Sequence, residues 1–243
     1  GYHPCVVAPG YEMYYFTILG GLSQRSLVQY FQPEHSYQIE TIPGIKDMIA
    51  KYKWQMTAVN LKKLLIKDNR NNYAVAGLVV LGWEDALAFT QAADETGLPI
   101  ILQAGPSCRS HTPIPILGKM FRYLADQTKT NVCCHIDHGY SLRECKEGMD
   151  NGFTSVMYDG SKLSLKENIR NTEKIAKLAQ TYKISLEGEV GLVGYYKGRL
   201  SEGTNLNDAK IFANQSGVDA MAISVGNTHL QTSKIANINL DKI

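Results

Sequence analysis

The stretch "NVCCHIDHGY", residues 131–140, joins an apolar run to two histidines and an aspartate. From Val132 onward it reads as a buried strand, with Cys133 and Cys134 on opposite faces because successive strand side chains alternate. Burying imidazoles and carboxylates costs free energy unless they find partners. The tip of this strand, carrying Asp137 and His138, is therefore expected where a cation or a substrate can reach it.

The segments on either side repeat one pattern. "NYAVAGLVV" (72–80) precedes "EDALAFTQAADETG" (84–97), a helical stretch with Ala86, Leu87, Phe89, Ala92 and Ala93 close to one face and Gly97 as a C-terminal stop. "LPIILQAG" (98–105) leads through the Pro-rich loop "PSCRSHTPIP" to the helical "ILGKMFRYLADQT". After "NVCCHID", "SLRE" (141–144) opens a helix with a serine three residues before a glutamate, the spacing of a reciprocal capping box. "SLKE" (164–167) repeats the device between "FTSVMYDG" (153–160) and "ISLEGEVG" (184–191), with a helix running to about Tyr182. A last helix near 207–215 precedes "GVDAMAISVG" (217–226).

Apolar strands without clean alternation, each separated by a helix, predict a parallel sheet covered on both faces. Polar residues end nearly every run: Gln103, Asp137, His138, Asp159, Glu187, Glu189, Asn227 and His229. A closed barrel gathers all its strand ends at one mouth, so the expected fold is α/β, a (β/α)8 TIM barrel, incomplete within about six βα repeats. Residues 56–243 would form it. Residues 1–55 break the rhythm with strand-like "PCVVA" and "MYYFTILGG" and helix-like "LSQRSLVQYF" and "GIKDMIAKYK", and are read as an N-terminal extension. The alternative is a permuted segment that restores the barrel, with His3 as a ligand.

Composition narrows the partners. Of 243 residues, 44% are hydrophobic and 20% charged, which suits a folded globular chain. A net charge of +2 gives no electrostatic reason to expect nucleic acid or an anionic membrane. No apolar run is long enough to span a bilayer, and "GYHPCVVAPGYEM" lacks the regions of a signal peptide, so a cytoplasmic location is expected. The five cysteines include no CxxC pair, which argues against a cysteine zinc site and suits a reducing compartment.

Two strand-end imidazoles, His138 and the His229 that closes "SVGNTH", would face the same barrel mouth and suit a divalent transition metal such as zinc. A catalytic zinc usually keeps three protein ligands and an open position. Glu187, Glu189 and Asp159 are acidic candidates for a third ligand or an alternative site, or else ion-pair partners at the rim. His135 reads either as hydrogen-bonded structure or as a participant.

Taken together, "HIDHG", "GFTSVMYDGS", "EGEVG" and "GVDAMAISVGNTH" resemble, in order and spacing, the motifs of the class II, zinc-dependent fructose- and tagatose-bisphosphate aldolases. "VNLKKLLIKDNRNNYAVAGLVV" and "ETGLPIILQAG" are similar to that family's opening helix and first strands, so the resemblance covers roughly 57–243. It implies Zn2+ as cofactor, Asp137 as the catalytic acid/base, and His138 and His229 as zinc ligands. Glu189 and Asp159 would lie at an alternative metal position, and Gly226, Asn227 and Ser107 would contact substrate. The implied reaction is reversible cleavage of a ketose 1,6-bisphosphate, fructose or tagatose, to dihydroxyacetone phosphate and glyceraldehyde 3-phosphate. A homo-oligomer, dimer or tetramer, goes with it.

Zinc as a Lewis acid polarises the ketone while Asp137 exchanges a proton with the substrate hydroxyl, so no Schiff-base role is needed for Lys162 or Lys197. The chain departs from the family pattern in several places. The family's third zinc histidine belongs to an H-G-G-S-G segment that residues up to Ile243 do not contain, so it and the closing strands are expected beyond Ile243. The loop "LVGYYKGRLSEGT" carries Tyr195, Tyr196 and Lys197 where acidic residues are frequent, with Glu202 as a substitute. Leu230 replaces a common glycine and Leu81 a common asparagine. A degenerate barrel that binds a sugar phosphate or a protein partner without turnover is the alternative reading.

Overall fold

The computed structural model describes residues 5–8, 12–15, 57–69, 74–195, 203–226, 228–229, 238–239 and 241. The chain divides into two compact units, Gly1–Trp54 and Gln55–Ile243. In the first, β1 (Cys5–Ala8) and β2 (Glu12–Tyr15) pair antiparallel, Cys5 opposite Tyr15. The helix-like stretches anticipated at 22–31 and 44–53, and His3, lie outside the described residues.

The second unit runs α1 (Leu61–Asn69), β3 (Ala76–Val79), α2 (Trp83–Thr96), β4 (Ile100–Ala104), α3 (Pro106–His111), α4 (Ile114–Gln127) and β5 (Val132–Gly139). It continues through α5 (Leu142–Asp150), β6 (Ser155–Tyr158), α6 (Leu165–Tyr182), β7 (Ser185–Val190), β8 (Gly194–Tyr195), α7 (Leu206–Gln215), β9 (Ala220–Ile223) and β10 (Thr228–His229). Six strands form one parallel sheet in the order β3-β4-β5-β6-β7-β9, curled but not closed, which makes it an incomplete TIM barrel. Beside it, β8 and β10 pair parallel, His229 opposite Tyr195.

Local chemistry sets the helix ends. Ser141 Oγ accepts the Glu144 N–H at 3.2 Å, and Ser164 Oγ accepts that of Glu167 at 3.4 Å. The box at Ser141 is half built: the Glu144 carboxylate accepts the N–H of Tyr140, at 2.9 Å, one residue before the cap. Gly97 ends α2 in the left-handed region, φ 69°, which a glycine adopts at no steric cost. The buried face of α2 is Ala86, Thr90 and Ala93, while Ala92 is exposed, a correction to the expected face. Thr90 is tolerated there because its hydroxyl donates to the Ala86 and Leu87 carbonyls at 3.0 and 2.9 Å. The expected Pro-rich loop also needs correcting, since its first half is the short helix α3, started by Pro106 where no N–H is needed.

The two faces of β5 enter different layers. Cys134 and Ile136 pack with Leu102, Phe121, Phe153 and Val156 beneath the outer helices. Cys133 faces the other way, against Val59, Leu61 and Leu64, with Ile101 and Ala220 alongside. Ile101, Cys133 and Ala220 stand at or near the first residues of their strands, and the Lys62 N–H donates to Ser185 Oγ, at the start of β7, at 3.0 Å. Helix α1 therefore lies across the N-terminal ends of the strands and leaves their C-terminal ends free for chemistry. Burial pushes the thiols of Cys133, Cys134 and Cys145 upward in pKa, so these cysteines behave as small hydrophobes. Among the described residues no helix is long and apolar enough to cross a membrane.

Candidate metal centre

The site begins with a defect in β5. Its register with β4 is regular from Ile100↔Val132 to Ala104↔Ile136. Against β6, the pairs His135↔Ser155 and Ile136↔Val156 are followed directly by Gly139↔Tyr158. Two residues of β5, Asp137 and His138, thus stand opposite the single Met157, as in a β-bulge. His138 takes φ 51°, in the left-handed region that non-glycine residues rarely enter. The bulge breaks the alternation that would send neighbouring side chains to opposite faces, and Asp137 Oδ1 comes to 3.8 Å from His138 Nε2.

Two further strand ends complete the group. Asp159, just beyond β6, places Oδ2 at 3.0 Å from His138 Nδ1. Its other oxygen accepts both the N–H and the hydroxyl of Ser161, at 3.0 and 2.6 Å, which explains the serine of the D-G-S motif. Glu189, buried in β7, brings Oε2 to 3.4 Å from the same imidazole nitrogen. Gly188 makes room for this strand, because a Cβ there would sit 2.8 Å from Phe212 of α7. On β10, the ring of His229 lies across that of His138, centroids 5.0 Å apart and planes at 71°.

His138, Asp159 and Glu189 each offer one ligand atom, all within 4.8 Å of one another. Nitrogen and carboxylate oxygen are donors that zinc accepts. Glu189 Oε2 is buried and makes no hydrogen bond, a costly state for a carboxylate oxygen that a cation would relieve. The cluster has the character of a divalent-metal site.

Electrostatics agree. Burial works to lower the His138 pKa, but the hydrogen bond to Asp159 and the charges of Asp137, Glu189 and Asp159 outweigh it and raise it. Burial and the nearby Asp159 raise Glu189. Burial alone would raise Asp159 too, yet the hydrogen bonds from His138 and Ser161 hold it below its usual value. Burial raises Asp137 against the opposing pull of His138, Arg109 and His229. Burial and the His138 charge lower His229. A pocket that draws a proton onto its histidine carries surplus negative charge, which a divalent cation neutralises on displacing that proton.

Glu187 and His135 stand apart from this group. His135 Nδ1 hydrogen-bonds Ser155 Oγ at 3.0 Å, and its Nε2 is 3.4 Å from Glu187 Oε2. Burial brings the His135 pKa down to about 3, so its ring is neutral at that contact, and burial with the Asp137 charge pushes Glu187 up to about 7. Ser107 is exposed on α3, where its carbonyl accepts the Ser110 hydroxyl. Gly226 is exposed between β9 and β10 with φ 105°, and Asn227 lies outside the described residues, as do Tyr196, Lys197, Glu202 and Leu230. One residue that the sequence did not mark stands beside the site. Arg109 of α3 reaches the carbonyls of Ala104, Asp137 and His138. Its position in a Pro-rich segment gave no signal.

A curled parallel sheet with a candidate metal cluster at the C-terminal ends of its strands has the architecture of the barrel enzymes. Residues 59–243 match the family model of class-II fructose-bisphosphate aldolase, and residues 1–38 match that of the KduI/IolB family. The chain belongs to the class II fructose-bisphosphate aldolase family. It is 32% identical over 185 residues to the 6-phospho-5-dehydro-2-deoxy-D-gluconate aldolase of Halalkalibacterium halodurans, covering 72% of this chain and 62% of that protein. It is equally 32% identical over 181 residues to the fructose-bisphosphate aldolase of Staphylococcus aureus, covering 72% and 63%. Among solved structures, the YdjI aldolase of Escherichia coli matches with a TM-score of 0.65 and 26% identity, over 71% of this chain and 64% of that one. The chain thus spans less than two thirds of the length of these relatives.

Proposed function

We propose that this chain carries the metal-binding and acid/base part of a zinc-dependent class II aldolase that reversibly splits a phosphorylated ketose into dihydroxyacetone phosphate or a related three-carbon product and an aldehyde. The observation that supports this most is the approach of the His138 and His229 rings, 5.0 Å between centroids, with the Asp137 carboxylate 3.8 Å from His138. In this reading His138 and His229 hold the zinc, and Asp159 and Glu189 provide the alternative position of the ion. When bound, zinc supplies Lewis-acid polarisation of the substrate carbonyl.

Asp137 removes the proton of the substrate hydroxyl during cleavage and returns it during condensation. Its burial suits this task, because a carboxylate of raised basicity is a better proton acceptor near neutral pH. Asp159, oriented by Ser161, keeps the His138 ring fixed. Ser107, Gly226 and Asn227 are assigned to substrate contact. Residues 1–55 are read as a segment separate from the barrel, a division supported by family matches that fall on either side of it.

Fructose and tagatose 1,6-bisphosphate are the substrates proposed first. 6-Phospho-5-dehydro-2-deoxy-D-gluconate stands beside them, because the relative named for it is as similar as the fructose-bisphosphate aldolase. The test is aldol cleavage of each compound by zinc-loaded protein, then by protein stripped with a strong chelator, then after zinc is restored. Activity lost on stripping and regained with zinc supports the proposal. Full activity in metal-free protein overturns it, and zinc-loaded protein that binds the sugar phosphates without cleaving them favours a binding barrel.

A further inference from the structure

We infer that Arg109 and Glu144 form a positioning clamp that holds the bulged tip of β5, and through it the Asp137 carboxylate and the His138 imidazole, in the geometry the site requires. The bulge creates the need. Beyond Ala104↔Ile136 the β4 ladder ends, so on that side β4 offers no further N–H to the carbonyls of Asp137 and His138. The Arg109 guanidinium supplies those donors. Nη1 donates to the Ala104 and Asp137 carbonyls, and Nη2 donates to the His138 carbonyl at 2.9 Å. One planar fork thereby joins the end of β4 to both bulged residues of β5.

The guanidinium side chain is only 4% exposed, and a buried cation needs a counter-charge. Glu144 provides it, with Oε1 at 3.0 Å from Nε and 2.8 Å from Nη2. Its other oxygen accepts the N–H of Tyr140, two residues beyond the bulge. The clamp therefore grips the segment on both sides, through carbonyls at 137 and 138 and through the N–H at 140. His138 at φ 51° is the residue whose backbone most needs such support. A lysine at position 109 would keep the charge but lacks the planar fork needed for several carbonyls at once.

Arg109 touches no reacting atom in this scheme. It acts through Asp137 and His138, and only the kinetic half of its test rests on the aldolase reading. Wild type, Arg109→Lys and Glu144→Gln are compared as folded proteins for zinc dissociation constant, by competition with a chromophoric chelator, and for kcat and KM. Arg109→Lys is expected to weaken zinc binding about 10-fold and lower kcat about 10- to 100-fold at nearly unchanged KM. Glu144→Gln is expected to do the same to a smaller extent. In Arg109→Ala, guanidinium chloride added below denaturing concentration is expected to restore part of the lost zinc affinity.

An Arg109→Lys protein with a lower melting temperature but wild-type zinc affinity and kcat would reduce the pair to a fold-stabilising contact and overturn the proposal. If Arg109→Lys does not fold, unchanged zinc affinity in Glu144→Gln overturns it equally. A wild type that cleaves no substrate tested would end the aldolase reading, while the zinc dissociation constants would still decide the clamp.

Discussion

The two halves of β5 contrast in burial, register and backbone conformation. Val132–Ile136 is wholly buried, in register with β4, and fills the core. Asp137 and His138 are half-buried, out of register with β6, ionisable, and in one case left-handed. The first half pairs as a regular parallel-sheet strand, with His135 its one buried ionisable side chain apart from the cysteines, and the second breaks several rules within two residues. Rigid packing upstream is what allows a strained, charged tip downstream, because strain persists only where the surroundings over-determine it.

The sharpest way to separate the halves is Asp137→Asn, which keeps the shape of the side chain and removes its basicity. It should lower kcat by about 10²- to 10⁴-fold, with zinc content and melting temperature near wild type, in steady-state kinetics and metal analysis. Ile136→Ala, one residue earlier, should do the opposite: about 2–5 kcal/mol of stability lost in urea unfolding, from the cavity it leaves in the core.

His135 lies inside the buried half, one residue before its end. Its folded pKa is brought to about 3 by burial, against 6.5 for the free group, so between those values the unfolded chain binds the extra proton. Stability should therefore fall as pH drops through that window, with this residue contributing up to about 1.4 kcal/mol per pH unit. The pH dependence of urea midpoints should be shallower in His135→Gln, and an unchanged slope would mean the ring is not held neutral. The smallest effect is expected at Ser141, beyond the tip. Ser141→Ala should cost about 1 kcal/mol of stability through the lost cap and leave zinc binding intact.

The same division separates what could be read in the sequence from what could not. The serine caps at 141 and 164, the glycine stop at 97 and the opposed cysteines at 133 and 134 depend on neighbours in the chain, and the structure places them as the pattern implies. Strand-end polar residues pointed to His138, Asp159 and Glu189 because parallel strands carry their C-terminal ends to one side. Local pattern failed where tertiary contacts decide. Thr90 replaces Ala92 on the buried face of α2 because a hydroxyl can bond back to its own helix. Glu144 turns from its own cap to Arg109 across 35 positions. Arg109 itself could not be singled out, since its partners are backbone carbonyls, and backbone carries no sequence signature.

The open curl of the sheet has one more consequence. Among the described residues β3 and β9 each have a partner in the sheet on one side only, and Val79 of β3 is 53% exposed, whereas every residue of β6 is buried. Local opening takes the least free energy where backbone pairing is one-sided and contacts are few. In deuterated water the amides of β3 and β9 should exchange first and those shared by β5 and β6 last. The strand that bears the bulge then belongs to the most slowly breathing part of the sheet, and its irregular tip rests on the firmest ground that sheet has.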